Sequence, residues 1–139
     1  MTIKPYTHYI ESEILPLYKA VGWSSYYGYP EMLQRAYKNS LCIFGAYTGE
    51  KLVGIIRAVG DGCSIVFIQD ILVLPGYQRR GIGTGLVRAV LERYAHVYQI
   101  ALVTDDTEAT VAFYKSLGFT PIHRLGCCGF LRMKGQGCT

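Results

Sequence analysis

The residues Gln78-Arg79-Arg80-Gly81-Ile82-Gly83 join two cationic side chains to a G-x-G step. They follow an apolar run that ends at Leu74 and precede a patterned stretch that continues through Leu86 and Val90. A strand that ends in such a turn and feeds a helix makes an anion site. The first helical N–H groups have no intrahelical partners and point one way, and the helix dipole adds positive charge there. Glycine lets an anion approach the backbone with no Cβ between, a job that fits Gly81 and Gly83. Arg79 and Arg80 raise the local positive potential. A Walker-type loop is excluded, because no lysine follows the glycines. A dinucleotide loop fits poorly: residues 81–86 read G-I-G-T-G-L, which misses the third glycine by one. A second chemical signal is Asp70, which with Gln69 interrupts the apolar run 65–74. Buried carboxylates are rare unless paired or used. Asp70 therefore takes a proton, pairs with a cation, or caps nearby backbone.

These residues need a frame. Residues 3–9 read as a first strand. Ser12 and Glu13 open a helix with Ile14, Leu17, Tyr18 and Val21 on one face, and Pro16 is expected in its first turn, where a missing N–H is tolerated. The stretch "GWSSYYGYP" reads as a loop. Pro30 starts a second helix through Asn39, with Met32, Leu33, Ala36 and Tyr37 inward. "SLCIFGAY", the four-residue turn "TGEK" and "LVGIIRAVG" make a hairpin. "SIVFIQDILVL" is the third strand of the meander, and its apolar content predicts a central position covered on both faces. A helix from Ile82 to Ala95, a buried strand "VYQIALVT" and a helix over "DDTEATVAFYKSLG" follow. In the last helix Asp105 or Asp106 is the expected N-cap and Gly118 the stop. Residues 119–133 read as two short strands around Gly126. The fold class is a mixed α/β sheet, not a purely doubly wound one.

The 139 residues fit one domain, 1–139, without internal repeat or linker. The net charge is +4, and the basic residues are scattered apart from Arg79 and Arg80. That suits a small anionic ligand better than a duplex, so no nucleic-acid partner is expected. Five cysteines, at 42, 63, 127, 128 and 138, form no CxxC pair, and His8, His96 and His123 show no ligand spacing. Reduced thiols and no metal are expected. If Cys127 and Cys128 lie in a strand, they point to opposite faces. Neither a signal peptide nor a bilayer-spanning run is visible, which predicts a cytoplasmic protein without a membrane partner.

Residues 78–83 match the Q/R-x-x-G-x-G/A signature of the GCN5-related N-acetyltransferases. "LVLPGYQRRGIGTGLVRAVL" resembles their acetyl-CoA motif, and "FYKSLGF", from Phe113 to Phe119, resembles their second signature. The resemblance covers residues 40–133 well and the N-terminal helices more loosely. It implies a mostly antiparallel, splayed central sheet of 6–7 strands flanked by about four helices. It implies acetyl-CoA as cosubstrate, with the pantetheine arm in the gap. Backbone groups of Leu72 and Val73 would pair with the pantetheine amides. Gln78, Arg79, Arg80, Gly81, Ile82, Gly83 and Thr84 would form the diphosphate loop. Relatives often carry Asn seven residues before the signature tyrosine; Thr107 stands there and has a shorter reach.

The implied activity is N-acetyl transfer by direct attack of a primary amine within a ternary complex. The amine must be neutral, the tetrahedral oxyanion needs donors, and the departing thiolate needs a proton or a hydrogen bond. The resemblance puts Tyr114 near the sulfur, where a phenol can donate, and makes the backbone N–H of Val73 the oxyanion donor. Asp70 is the candidate for taking the amine proton. The resemblance places the acceptor under the first two helices, at Trp23, Tyr26, Tyr27, Tyr29 and Pro30. Interleaved aromatics stack on a ring or hold a cation, which favours a small aromatic or aliphatic amine. The same rings could instead plug a sheet edge. A non-catalytic acyl-CoA-binding module and a protein or peptide acetyltransferase are the alternatives. A homodimer through the C-terminal strands is compatible with the resemblance.

Overall fold

A computed structural model describes residues 1–134, so Cys138 lies outside the described residues. The chain divides into two compact units, Met1–Leu102 and a second that begins at Val103. The first unit carries a five-stranded sheet in the order β1-β2-β3-β4-β5. The strands are β1 (Thr2–Pro5), β2 (Cys42–Thr48), β3 (Lys51–Gly60), β4 (Ile65–Val73) and β5 (Gln99–Leu102). Pairing is antiparallel from β1 to β4 and parallel between β4 and β5. Among the described residues five strands stand where 6–7 were expected, because residues 119–133 form no strand. They hold instead a 3₁₀ turn, Ile122–Leu125, closed by Gly126 in the left-handed region. Cys127 and Cys128 are therefore exposed off any sheet, and with buried Cys42 and exposed Cys63 they are free thiols.

The first unit's helices are α1 (Glu11–Ala20), α2 (Ser24–Tyr27), α3 (Pro30–Lys38) and α4 (Ile82–Arg93). α1 begins at Glu11, one residue before Ser12, and its N-cap Ile10 is tied back to the first strand's end through Tyr6. The Tyr6 hydroxyl accepts from the Ile10 N–H at 3.1 Å and donates to Glu13 Oε1 at 3.0 Å. That earlier start puts Pro16 inside the helix rather than in its first turn, where it removes one intrahelical bond. Part of the expected aromatic loop winds into the single-turn α2. In α3 the inner face is narrower than expected: Leu33 and Tyr37 are buried, whereas Met32 is exposed.

β3, not β4, is the strand sealed on both faces, with residues 52–58 all buried. β4 alternates. Its neighbour β5 is shorter and less buried than "VYQIALVT" suggested. Ile14, Leu17 and Tyr18 of α1 and Leu33 and Tyr37 of α3 pack with Leu52, Ile55 and Leu72 into one core. Ile82, Leu86, Val87 and Val90 are the buried side of α4. The turn between β2 and β3 is tighter than four residues: Thr48 pairs with Lys51, which leaves Gly49 and Glu50. Among the described residues no helix is long and apolar enough to cross a membrane.

The β3–β4 connection is fastened by Asp61. Its carboxylate accepts from the N–H groups of Cys63, Ser64 and Ile65 at 2.8, 2.8 and 3.0 Å and from the Ser64 hydroxyl. These donors, the Ser64 hydroxyl foremost, hold its pKa well below the usual carboxylate range. A depressed folded pKa contributes stability above the unfolded value, about 3.9, which is lost as pH falls through the folded one. Asp61→Ala is expected to lower the urea midpoint at pH 7, with the gap to wild type closing as pH falls below about 3.9. A gap constant from pH 7 to pH 2 would contradict this.

The second unit contains α5 (Glu108–Ser116). Its N-cap is Thr107 rather than Asp105 or Asp106: the Thr107 hydroxyl accepts from the Thr110 N–H at 3.2 Å. Gly118 follows with φ +92°, the expected stop.

Candidate functional site

The sheet is splayed along one edge of β4. β5 pairs with Ile65 to Ile68 only, so residues 69–73 have no strand on that side among the described residues. Strand alternation decides what this edge offers. The Leu74 N–H donates to Val53 O on β3 at 2.9 Å. Leu72, two residues earlier, directs its backbone groups the same way, toward its partner Ile55. Val73 then presents its N–H and C=O on the unpaired edge. Of the two residues expected to meet pantetheine amides, Val73 is the one with groups to offer, and its carbonyl accepts from Gln78 Nε2 at 3.1 Å.

The edge leads directly into the loop. Pro75–Tyr77 forms a 3₁₀ turn, and α4 starts at Ile82 with Gly81 as its N-cap. Gly81 has φ +80° and Arg79 φ +63°. The first explains why position 81 is glycine. The second is an uncommon conformation for a side-chain-bearing residue, of the kind that clusters where backbone is shaped for a ligand. The α4 N-cap makes no side-chain hydrogen bond, so the first-turn amides, Gly83 and Thr84 included, meet no capping side chain. Gly85 serves packing: a Cβ there would stand 2.5 Å from Ile3 Cδ1 of β1. Arg79 and Arg80 are exposed. Among the described residues the ion pair is Arg57–Asp70, so neither loop arginine is neutralised by one.

Asp70 lies on the face covered by α1 and α3, the same face as Leu72 two residues on, and a bulge separates it from Ile68. Arg57 pairs with Asp70 while Ala58 pairs with Ile68, so Gln69 is the extra residue. In a regular strand Ile68 and Asp70 would share a face; the inserted residue breaks that alternation. Asp70 is 1% exposed. Its Oδ2 accepts from Arg57 Nε at 2.7 Å and from the Tyr18 hydroxyl at 2.8 Å. Tyr18 and Tyr37 hydroxyls meet at 2.9 Å, and Arg57 Nη1 donates to Ser40 Oγ at 3.3 Å. Burial first, then Tyr37 and Asp70, pushes the Tyr18 phenol far above the ordinary tyrosine range. Burial works against the Arg57 cation, but Asp70 outweighs it and holds the pKa up. Asp70 Oδ1 is buried and has no hydrogen-bond partner.

Above this carboxylate sit aromatic rings. Tyr18, Trp23 and Tyr26 form a three-ring cluster with centroids 5.3 to 6.1 Å apart. Gln69 Nε2 donates to the Tyr26 hydroxyl at 3.2 Å, and burial and then the nearby Asp70 charge raise that phenol's pKa. Trp23, Tyr26 and Asp70 are thus brought together. Tyr27 packs against the same core, but Tyr29 stands apart at 64% exposed.

Tyr114 and Thr107 belong to the second unit. Tyr114 is buried, with its ring edge-on to Phe113 at 4.9 Å and Phe119 at 5.8 Å. Burial raises its pKa, so the phenol stays protonated. The Thr107 hydroxyl already caps α5 and donates to Thr110 Oγ1 at 2.9 Å, which competes with any cofactor contact.

Residue reasoning missed Arg57, Tyr18 and Tyr37 as partners of Asp70. The signal for Arg57 was available, since it is the one charge within "LVGIIRAV". The two tyrosines look like apolar-face residues in a helical pattern, and their hydroxyls show only in three dimensions.

A sequence profile described as "Acetyltransferase (GNAT) family" matches residues 8–119. A GNAT-family acetyltransferase structure from Streptococcus pneumoniae TIGR4 is 42% identical with TM-score 0.87, covering 97% of this chain and 98% of that one. A curated Glycine max relative named "Histone acetyltransferase TAP1" is 38% identical over 74 residues, 50% of this chain. The chain spans only 30% of that relative's length. A structure of AAC(6′)-Iy with a CoA-S-monomethyl-acetylneamine bisubstrate analogue shares the fold, at 18% identity, TM-score 0.67 and coverage of 99% and 98%. The motif pair, the splayed sheet and the profile agree, and the chain belongs to the acetyltransferase (GNAT) family.

Proposed function

We propose that the protein is an acetyl-CoA-dependent N-acetyltransferase acting on the primary amine of a small molecule. The observation that carries this reading is the unpaired edge of β4 running into a cationic loop with glycine N-cap. Together they fit the two polar parts of the coenzyme: Val73 pairs with an amide of the pantetheine arm, and the amides of residues 79–84 hold the diphosphate. The coenzyme supplies an activated acetyl thioester. Asp70 takes a proton from the acceptor amine through Oδ1, its oxygen not engaged by Arg57 and Tyr18. The Val73 N–H is the oxyanion donor, and Tyr114 donates to the departing sulfur. Trp23 and Tyr26 supply faces for an apolar or aromatic amine. The AAC(6′)-Iy complex supports the coenzyme assignment by fold alone.

Calorimetry with coenzyme A and thiol release from acetyl-CoA against an amine panel test this. Saturable binding and amine-dependent release are expected. Gly83→Asp is expected to abolish binding without unfolding the protein, because an acid in the first turn suits the helix dipole while repelling the diphosphate. No binding heat, together with indifference to Gly83→Asp, would overturn the reading. Binding without release by any small amine or peptide would favour the non-catalytic module.

A further inference from the structure

The hydrogen bonds around Asp70 have fixed directions. A phenol has one proton to give. Tyr18 gives its proton to Asp70 Oδ2 at 2.8 Å, so in the 2.9 Å contact between the two hydroxyls Tyr37 donates to Tyr18. Arg57 Nε is the second donor to Oδ2, at 2.7 Å. The Ser40 hydroxyl donates to Ala36 O at 2.7 Å and therefore accepts from Arg57 Nη1. Two donors thus end on one carboxylate oxygen, while Oδ1 is buried without a partner. Buried polar atoms are seldom left so, and an ion pair that only held the scaffold would gain by engaging both oxygens. Arg57 comes from β3, Tyr18 from α1 and Tyr37 from α3. With Tyr26 of α2, whose hydroxyl accepts from Gln69 Nε2, these are the titratable groups whose charge or hydroxyl acts on Asp70. Tyr18 and Tyr37 are buried, and burial foremost raises both phenol pKa values, so both remain donors through neutral pH.

We infer that Tyr18 and Tyr37 are positioning residues that act in series: Tyr37 orients the Tyr18 hydroxyl, Tyr18 with Arg57 pins Asp70 Oδ2, and Oδ1 is thereby kept as the oxygen that receives the acceptor's proton. This rests on the proposed role of Asp70 as the base and deepens it. In that step an N–H bond of the acceptor breaks and an Oδ1–H bond forms. The electron pair left on nitrogen attacks the acetyl carbon, and the C–S bond then breaks with its pair going to sulfur. Donors on Oδ2 favour the charged carboxylate, so they also set how strongly Asp70 holds that proton. The two helices that cover the sheet therefore tune the base through one hydroxyl each.

The experiment measures kcat against pH, with saturating acetyl-CoA and 2-phenylethylamine, for wild type, Tyr18→Phe, Tyr37→Phe, their double variant and Asp70→Asn, with urea midpoints alongside. The acid limb of kcat reports the base in the ternary complex. Loss of a hydrogen bond to a charged group is expected to move the limb of Tyr18→Phe upward by about one pH unit. Tyr37→Phe is expected to move it the same way by less. The double variant is expected to move it no further than Tyr18→Phe, because Tyr37 acts through Tyr18. A scaffold role would lower the urea midpoints and leave the limb in place. Limbs of both single variants that coincide with wild type, or shifts that add in the double variant, overturn the inference alone when Asp70→Asn loses rate most at low pH. A parallel loss at every pH in Asp70→Asn overturns the base assignment and the inference with it. Should Tyr18→Phe not fold, Tyr37→Phe decides, and an unmoved limb there overturns the inference. Failure of wild type to acetylate 2-phenylethylamine or any amine of the panel overturns the transferase reading and the inference together.

Discussion

Asp70→Ala is expected to cost about 3–5 kcal/mol of stability, because it leaves the Arg57 cation buried without a counter-charge. Arg57 is 5% exposed and Asp70 1%, so the cation left behind is poorly hydrated. The Tyr18 hydroxyl loses its acceptor as well. For a domain of this size the melting temperature should fall by on the order of 10 °C. Removing the pair together, as Arg57→Met with Asp70→Leu, is expected to restore most of the loss, since apolar replacement of a buried pair is often neutral or stabilising. A double variant no more stable than Asp70→Ala would show that the ion pair is not the source. An inactive Asp70→Ala therefore says nothing of catalysis. Asp70→Asn keeps the shape and an acceptor for Tyr18. If Asp70 takes the amine proton, its rate should suffer most at low pH, where the amine arrives protonated. A parallel loss at every pH would assign Asp70 to the scaffold.

What could be read from the sequence divides along a physical line. The loop was legible because its requirements are local: a positive φ at Gly81, adjacent cations, and an apolar strand on one side with a helix on the other. The hairpin was legible because alternation and a turn glycine act over a few residues. The network around Asp70 was not, because it joins residues 18, 37, 57 and 70 through a bulge at Gln69 that no local pattern announces. The tail went wrong for a related reason. β-propensity in residues 119–133 reports how well side chains would fit a pleated surface, but a strand needs a partner, and among the described residues none pairs with it. The α5 cap was missed because two aspartates precede Thr107, and propensity alone ranks them no lower.

Tyr114→Phe is expected to slow turnover by roughly 10- to 1,000-fold with the coenzyme dissociation constant unchanged, in the range that general acid catalysis supplies. Phenylalanine keeps the edge contacts with Phe113 and Phe119, so the packing of α5 survives and only the hydroxyl is lost. Burial raises the Tyr114 pKa above the ordinary tyrosine value, which limits how the group acts. An alkyl thiol has a pKa of about 8.5 and a free phenol about 10, so full transfer to the sulfur is uphill, and burial steepens it. In the proposed mechanism Tyr114 would therefore act by donating a hydrogen bond to the sulfur as charge develops on it. The raised pKa also keeps the donor protonated, so wild-type turnover should not fall through loss of this proton until pH rises past about 10. The contrast between substrates sharpens the test. An acyl donor with a more acidic thiol leaving group needs less help, so the ratio of wild-type to Tyr114→Phe rates should shrink with it. An unchanged turnover number in Tyr114→Phe, or a ratio that ignores the leaving group, would remove Tyr114 from the chemistry and leave it a core residue of the second unit.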